Sequence, residues 1–120
     1  MTADKKTFQR SRVPGRGPMV TVLISTYNRP AYLAEALDSI FRQTWANFEI
    51  ILTRDGGLPV RDVVSQFNDS RLTFIDRDQN RGLPYSFNEA LARAKGDYIR
   101  YLGDGDKFFP HHIETLLKAI

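Results

Sequence analysis

The chain has 120 residues, 42% hydrophobic and 26% charged, ordinary globular usage that argues against a disordered, collagenous or coiled-coil protein. It has no cysteine, which removes disulfides, thiolate metal sites and cysteine nucleophiles and fits a reducing compartment. The formal charge of +3 is uneven: five of the 17 basic residues and one of the 14 acidic ones fall in residues 1–18, leaving a body with 12 basic and 13 acidic side chains.

The body is therefore not a basic nucleic-acid binder, and such a role could rest only on residues 1–18. That stretch holds Lys5, Lys6, Arg10, Arg12 and Arg16 beside Pro14, Gly15, Gly17 and Pro18, with Phe8 as its large hydrophobe. It reads as a flexible, solvated tail. The first residues have no continuous apolar segment of the kind a signal peptide needs, and no apolar run approaches the ~20 residues of a membrane span. The expectation is a soluble, cytoplasmic chain, with room for peripheral contact at the inner face of the membrane.

Strand and helix signals then alternate. Val20–Ile24 is an apolar, β-branched run and reads as a buried strand. Asn28, Arg29 and Pro30 signal a helix start, with Asn28 as its cap, and Leu33, Leu37, Ile40 and Phe41 predict an amphipathic helix over 30–43. Phe48–Thr53 is a second strand, closed by the turn residues Asp55, Gly56 and Gly57. Trp45 and Phe48 are expected in the core. Pro59 opens a second helix with Val60, Val63, Val64 and Phe67 on its apolar face, and Leu72–Ile75 is a third strand. After the polar loop 76–82, Leu83, Phe87, Leu91 and Ala94 mark a third helix that stops near Gly96. Tyr98–Leu102 is a fourth strand, and Pro110 begins a last helix carrying Ile113, Leu116, Leu117 and Ile120.

Four strand–helix repeats predict an α/β fold, a parallel sheet of about four strands with helices on both faces. Ligands of such sheets bind beyond the carboxyl ends of the strands. That rule selects the loops 25–28, 54–57, 76–82 and 103–107, where the polar, charged and glycine residues gather.

In the fourth loop, Asp104 and Asp106 flank Gly105. Carboxylates this close repel unless a cation or proton separates them, and hard oxygen ligands suit Mg²⁺ or Mn²⁺, whose shells are often completed by substrate phosphates. Asp55 is placed to accept hydrogen bonds from a base or ribose, or to cap a turn. Tyr27 offers a face for stacking on a base, beside the hydroxyls of Ser25 and Thr26. Arg77 and Arg81 carry forks able to grip phosphate, though for Arg77 a plain surface role is expected. His111 and His112 lack zinc-site spacing and read as surface residues. Neither a phosphate-cradling GxxxxGK[ST] loop nor a G-x-S-x-G elbow is present.

Taken together, VTVLISTYNRPAYLAEALDSIFRQT, FEIILTRDGG, NRGLPYSFNEALARAKGDYIRYLGDGD and FFPHHIE resemble, in order and spacing, the nucleotide-binding half of the family 2 inverting glycosyltransferases of GT-A fold, over about residues 19–116. The resemblance implies a Rossmann-like donor half in residues 19–120 and a nucleotide-diphosphate sugar, most often UDP-linked, with a divalent cation at a D-x-D motif. Carried over by position, Ser25 and Tyr27 line the base pocket and Asp55 bonds the base. Asp104 and Asp106 meet ribose and metal, and the stretch around Arg81 and Asn88 lies beside the nucleotide. Three positions depart from the family pattern. Arg54 replaces the first of two acidic residues, Phe87 stands where arginine is frequent, and Gly105 occupies the place of a carboxylate five residues before Pro110.

The resemblance also implies an acceptor (a glycan, lipid-linked glycan or protein) and a catalytic base, both expected beyond Ile120. A non-catalytic nucleotide-binding module or an inactive truncated transferase is the alternative, and an uncovered apolar face leaves room for a homo-oligomer. A phosphorylation receiver ranks below both, since Ser25-Thr26-Tyr27-Asn28 stands where that fold needs an acidic pair.

Overall fold

The computed structural model describes residues 17–120; the expected tail lies outside the described residues except for Gly17 and Pro18. Those two are tied down, Gly17 O accepting from Asn47 Nδ2 at 2.9 Å and Pro18 O from Trp45 Nε1 at 3.1 Å.

The described chain alternates as expected: β1 (Val20–Thr26), α1 (Pro30–Phe41), β2 (Phe48–Asp55), α2 (Arg61–Val64), β3 (Leu72–Arg77), α3 (Leu83–Arg93), β4 (Tyr98–Tyr101) and α4 (His112–Lys118). The strands form one sheet in the order β3-β2-β1-β4, and every pairing is parallel. From β1 the chain steps outward through β2 to β3, then returns to place β4 on the other side of β1. Strand order therefore reverses beside β1, and the crevice at its carboxyl end is where such a sheet binds ligands.

Alternation along the strands divides the core. Val20, Val22 and Ile24 of β1 and Phe48, Ile50 and Leu52 of β2 face one side, where Leu33, Ala36, Leu37 and Ile40 of α1 and Ile113 and Leu117 of α4 complete the main core with Trp45. Leu23 and Ile51 face the other side and pack with Ala90 of α3, with Phe87, Ala94 and Tyr101 around them. Full burial of such side chains stabilises by about 1.5–3 kcal/mol each, so β1 and β2 anchor everything built on their ends.

Three local expectations change. The second helix is one turn, Arg61–Val64, because Phe67 leaves helical register to stack on Phe41 at a centroid distance of 5.5 Å. The last helix starts at His112, since Pro110 O accepts from Thr44 N at 2.9 Å and holds the preceding segment against the end of α1. Asn28 does not cap α1: its backbone is left-handed (φ 58°), and its Oδ1 accepts from Leu58 N at 2.8 Å, joining the first two polar loops.

Candidate functional site

All four selected loops meet at one cleft of about 620 Å³, lined by Ser25, Tyr27, Arg29, Asp55, Asn80, Gly82, Leu83, Tyr101, Gly103, Asp104, Gly105 and Asp106. It sits at the switch point, between the ends of β1 and β4 and roofed by the start of α3.

Parallel pairing explains how Asp55 is held. Register places Asp55 opposite Arg77 and Arg54 opposite Asp76, so each charge at the end of β2 meets its opposite on β3. Arg77 Nη2 donates to Asp55 Oδ1 at 2.7 Å, while Arg77 Nη1 donates to Glu89 at 2.6 Å. The backbone N–H groups of Arg81 and Gly82 donate to the two carboxylate oxygens at 2.8 and 2.9 Å. Burial pushes the Asp55 carboxyl up, but the hydrogen bonds from Arg81, Arg77 and Gly82 and the charge of Arg77 outweigh it, and the group is held below the usual carboxylate value. Asp55 is thus an ionised acceptor at the cleft wall, with three of its about four lone-pair sites used internally. Arg54 is buried too, pairing with Asp76 and Asp78 and donating to Gly57 O at 2.9 Å. Here, where the family pattern has an acid, the arginine ties the second loop to the third.

The acidic loop is fixed at both ends. Leu102 N donates to Leu23 O at 2.9 Å, and Phe108, buried in the main core, donates its N–H to Ser39 Oγ at 3.1 Å. Between these anchors, Asp104 Oδ2 accepts from Thr26 Oγ1 at 3.0 Å and Tyr27 N at 3.2 Å, locking the loop after β4 to the loop after β1. The Asp106 side chain has no hydrogen-bond or ion-pair partner among the described residues. Burial, and then the charges of Asp104 and Asp106, raise the Tyr101 hydroxyl above its usual value.

Tyr27 is half exposed and its ring lies on the backbone of Gly57, where a Cβ would come within 3.0 Å of the ring carbons. Gly57 has φ +73°, a conformation that costs other residues about 1–2 kcal/mol.

Ser25, Tyr27, Asp55, Asp104 and Asp106 are therefore brought together. Arg81 contributes its backbone N–H, while its guanidinium lies 4.9 Å from the Tyr85 ring centre and is not among the lining groups. Asn88 is exposed on α3, away from the lining. Arg77, expected to be a surface residue, is instead the partner of Asp55. Arg29, Asn80 and Tyr101 also line the cleft; of these, Asn80 carries a sequence signal, its place two residues before Gly82 in the resemblance segment. Neither histidine lines the cleft. His112 stacks on Phe108 at 4.2 Å and accepts from Arg100 Nε at 3.2 Å, and His111 Nδ1 lies 3.2 Å from Thr44 Oγ1.

No group of three or more acidic or histidine side chains poised for a metal occurs among the described residues. The donor set nonetheless fits a hard cation of the Mg²⁺ type, which needs only one or two carboxylates when phosphates and water complete its shell. Asp106 is unpartnered, Asp104 uses one oxygen internally, and the cleft is roomy enough for a diphosphate. No described helix is long and apolar enough to cross a membrane.

The sequence profile of glycosyl transferase family 2 matches residues 21–120. An uncharacterized glycosyltransferase of Bacillus subtilis, YwdF, is 37% identical over 101 residues, covering 84% of this chain and 38% of its own length. The putative colanic acid biosynthesis glycosyl transferase WcaA of Escherichia coli is 30% identical over 103 residues, 83% of this chain and 37% of its own. A mannosyltransferase from Pyrobaculum calidifontis, solved with GDP-Man and Mn²⁺, superposes with a TM-score of 0.75 at 23% identity over 95% of this chain and 37% of that one. Staphylococcus aureus TarS 1–349 with UDP gives 0.75 at 23% identity over 82% of this chain and 31% of that one. At such identities the two structures speak for the fold alone. The chain spans less than two-fifths of the length of these relatives.

Proposed function

We propose, for a chain that belongs to glycosyl transferase family 2, that residues 19–120 are the donor half of a sugar transferase. In this reading the cleft binds a nucleotide-diphosphate sugar with Mn²⁺ or Mg²⁺ for inverting transfer to an acceptor hydroxyl. The observation that carries the reading is the meeting of Tyr27, Asp55, Asp104 and Asp106 in one cleft at the carboxyl edge of the sheet. The solved structures that share the fold add support, one holding GDP-Man with Mn²⁺ and one UDP.

In this reading each side chain has a separate task. Tyr27 stacks on the base, with Ser25 beside it, and the last acceptor site of Asp55 takes a base N–H. Because Arg77, Arg81 N and Gly82 N fix that carboxylate in its ionised form, it selects a donor and rejects an acceptor. Asp104, steered by Thr26 and Tyr27 N, presents its free oxygen to ribose or metal, and Asp106 offers its unpartnered carboxylate to the metal. A divalent cation bound there would offset the charge that develops on the leaving diphosphate. The acceptor site and the base belong to the length of the relatives that this chain does not span.

The test is a thermal-shift panel of UDP, GDP, dTDP and CDP, each with Mn²⁺ or with EDTA. A ligand that binds only the native state at 100 times its Kd stabilises by about 2.7 kcal/mol. At least one nucleotide should raise the melting temperature, and more so with Mn²⁺. A flat response to all four would remove the basis for the proposal.

A further inference from the structure

Among the described residues, Arg29 is the one cationic side chain lining the cleft, and its sequence signal is only its place at a helix start. Asp104 and Asp106 give the cleft two carboxylates, while the charge of Asp55 is already matched by Arg77. A diphosphate entering this space meets like charge from the acidic loop, so positive charge from a side chain at the cleft, beside any bound cation, favours its binding.

Arg29 is placed to supply it. It precedes Pro30 at the start of α1, and its guanidinium lies against the backbone of the acidic loop: a Cβ on Gly105 would come 2.7 Å from Arg29 Nη1. The glycine between the two aspartates therefore makes the space that the guanidinium occupies. Five other arginines, Arg42, Arg54, Arg61, Arg71 and Arg77, are each paired with a carboxylate. Arg29 has no ion pair, side-chain hydrogen bond or ring contact among the described residues, although it lies beside two acids. An unpaired planar fork facing a cleft is suited to two parallel bonds with phosphate oxygens.

We infer that Arg29 binds the diphosphate of the ligand, with the bare backbone at Gly105 leaving room for the guanidinium. The inference rests on the nucleotide reading of the cleft and adds a residue to it. Arg29 and Gly105 act as one unit, so the two positions predict each other's phenotypes.

The test uses the 120-residue chain with Mn²⁺. Calorimetry with UDP, GDP, dTDP and CDP identifies which one the wild type binds, and displacement of that ligand by its own nucleoside gives the nucleoside affinity. Arg29→Ala should weaken the diphosphate by about tenfold or more while leaving the nucleoside within about twofold. Gly105→Ala, which displaces the guanidinium without removing it, should show the same selective loss in the same direction, and circular dichroism checks that both variants fold. Arg29→Ala affinities that fall equally for diphosphate and nucleoside, or that do not fall, overturn the inference and leave the nucleotide site standing. Wild-type chain that binds none of UDP, GDP, dTDP and CDP overturns the nucleotide reading and the inference with it.

Discussion

Replacing Asp55 with alanine is the most demanding perturbation of this site, because the carboxylate is both a cleft group and a brace. Its side chain is 5% exposed and its Arg77 partner 13%, so water does not readily replace that ion pair. The change strands the N–H groups of Arg81 and Gly82 and leaves Arg77 with Glu89 and Ser86. Breaking a buried ion pair costs about 3–5 kcal/mol, and a stranded buried donor about 1–3 kcal/mol. Arg77 keeps a second carboxylate, and the Arg81 and Gly82 N–H groups border the open cleft where water replaces the lost acceptor, so only the low end of the ion-pair cost applies, about 3 kcal/mol in total. For a domain of this size each kcal/mol moves the melting point by about 4–8 °C, which gives a drop of about 12–24 °C. Thermal unfolding followed by circular dichroism measures it. The double variant with Arg77→Met should be less destabilised than the sum of the singles, since the stranded charge is gone. A drop for Asp55→Ala below about 3 °C would refute the bracing role.

Three further outcomes follow from the same geometry. Asp106→Asn should leave the metal-free melting point unchanged or slightly raised, because a repulsion is relieved, yet lose most of the stabilisation given by nucleotide diphosphate with Mn²⁺; an unaltered metal dependence in both Asp106→Asn and Asp104→Asn would reduce the loop to an acidic turn. Gly57→Ala should destabilise by at least about 1–2 kcal/mol, through its positive φ and the clash of its Cβ with Asn28 Oδ1, and also weaken nucleotide binding by shifting the Tyr27 ring, both readable in one melting series. The folded-state pKa of Asp55 is depressed, so its stabilising contribution is present above the unfolded value of about 3.9 and is lost as pH falls through the folded value; urea melts should show a shallower loss from about pH 5 downward in Asp55→Asn than in wild type.

The parallel sheet was legible because Val20–Ile24 and Phe48–Thr53 are nearly unbroken apolar runs, and such runs signal strands covered on both faces. The site was legible at the level of loops, since the carboxyl-edge rule needs only the order of elements. What spacing does not carry is register. That Arg77 faces Asp55, and that Arg54 faces Asp76, follow from the pairing of β2 with β3, which no local pattern encodes. Helix ends were misread for a similar reason: Phe67 fits the apolar face of a longer helix, but its stacking on Phe41 is a tertiary contact that ends α2 after one turn. Asn28 has the composition of a cap, and its side chain goes instead to Leu58 N, a partner 30 residues away.

The central claim is that a nucleotide diphosphate and a divalent cation share the cleft between the ends of β1 and β4. Amide resonances of the isotope-labelled chain, titrated with UDP or GDP and then with a trace of Mn²⁺, test it most directly, because the paramagnetic ion broadens signals near it. The account predicts nucleotide shifts at Tyr27, Arg81 and Gly82, and Mn²⁺ broadening centred on Gly103, Asp104, Gly105 and Asp106. Broadening centred on another surface, or nucleotide shifts that leave Tyr27 and Gly82 unmoved, would contradict it.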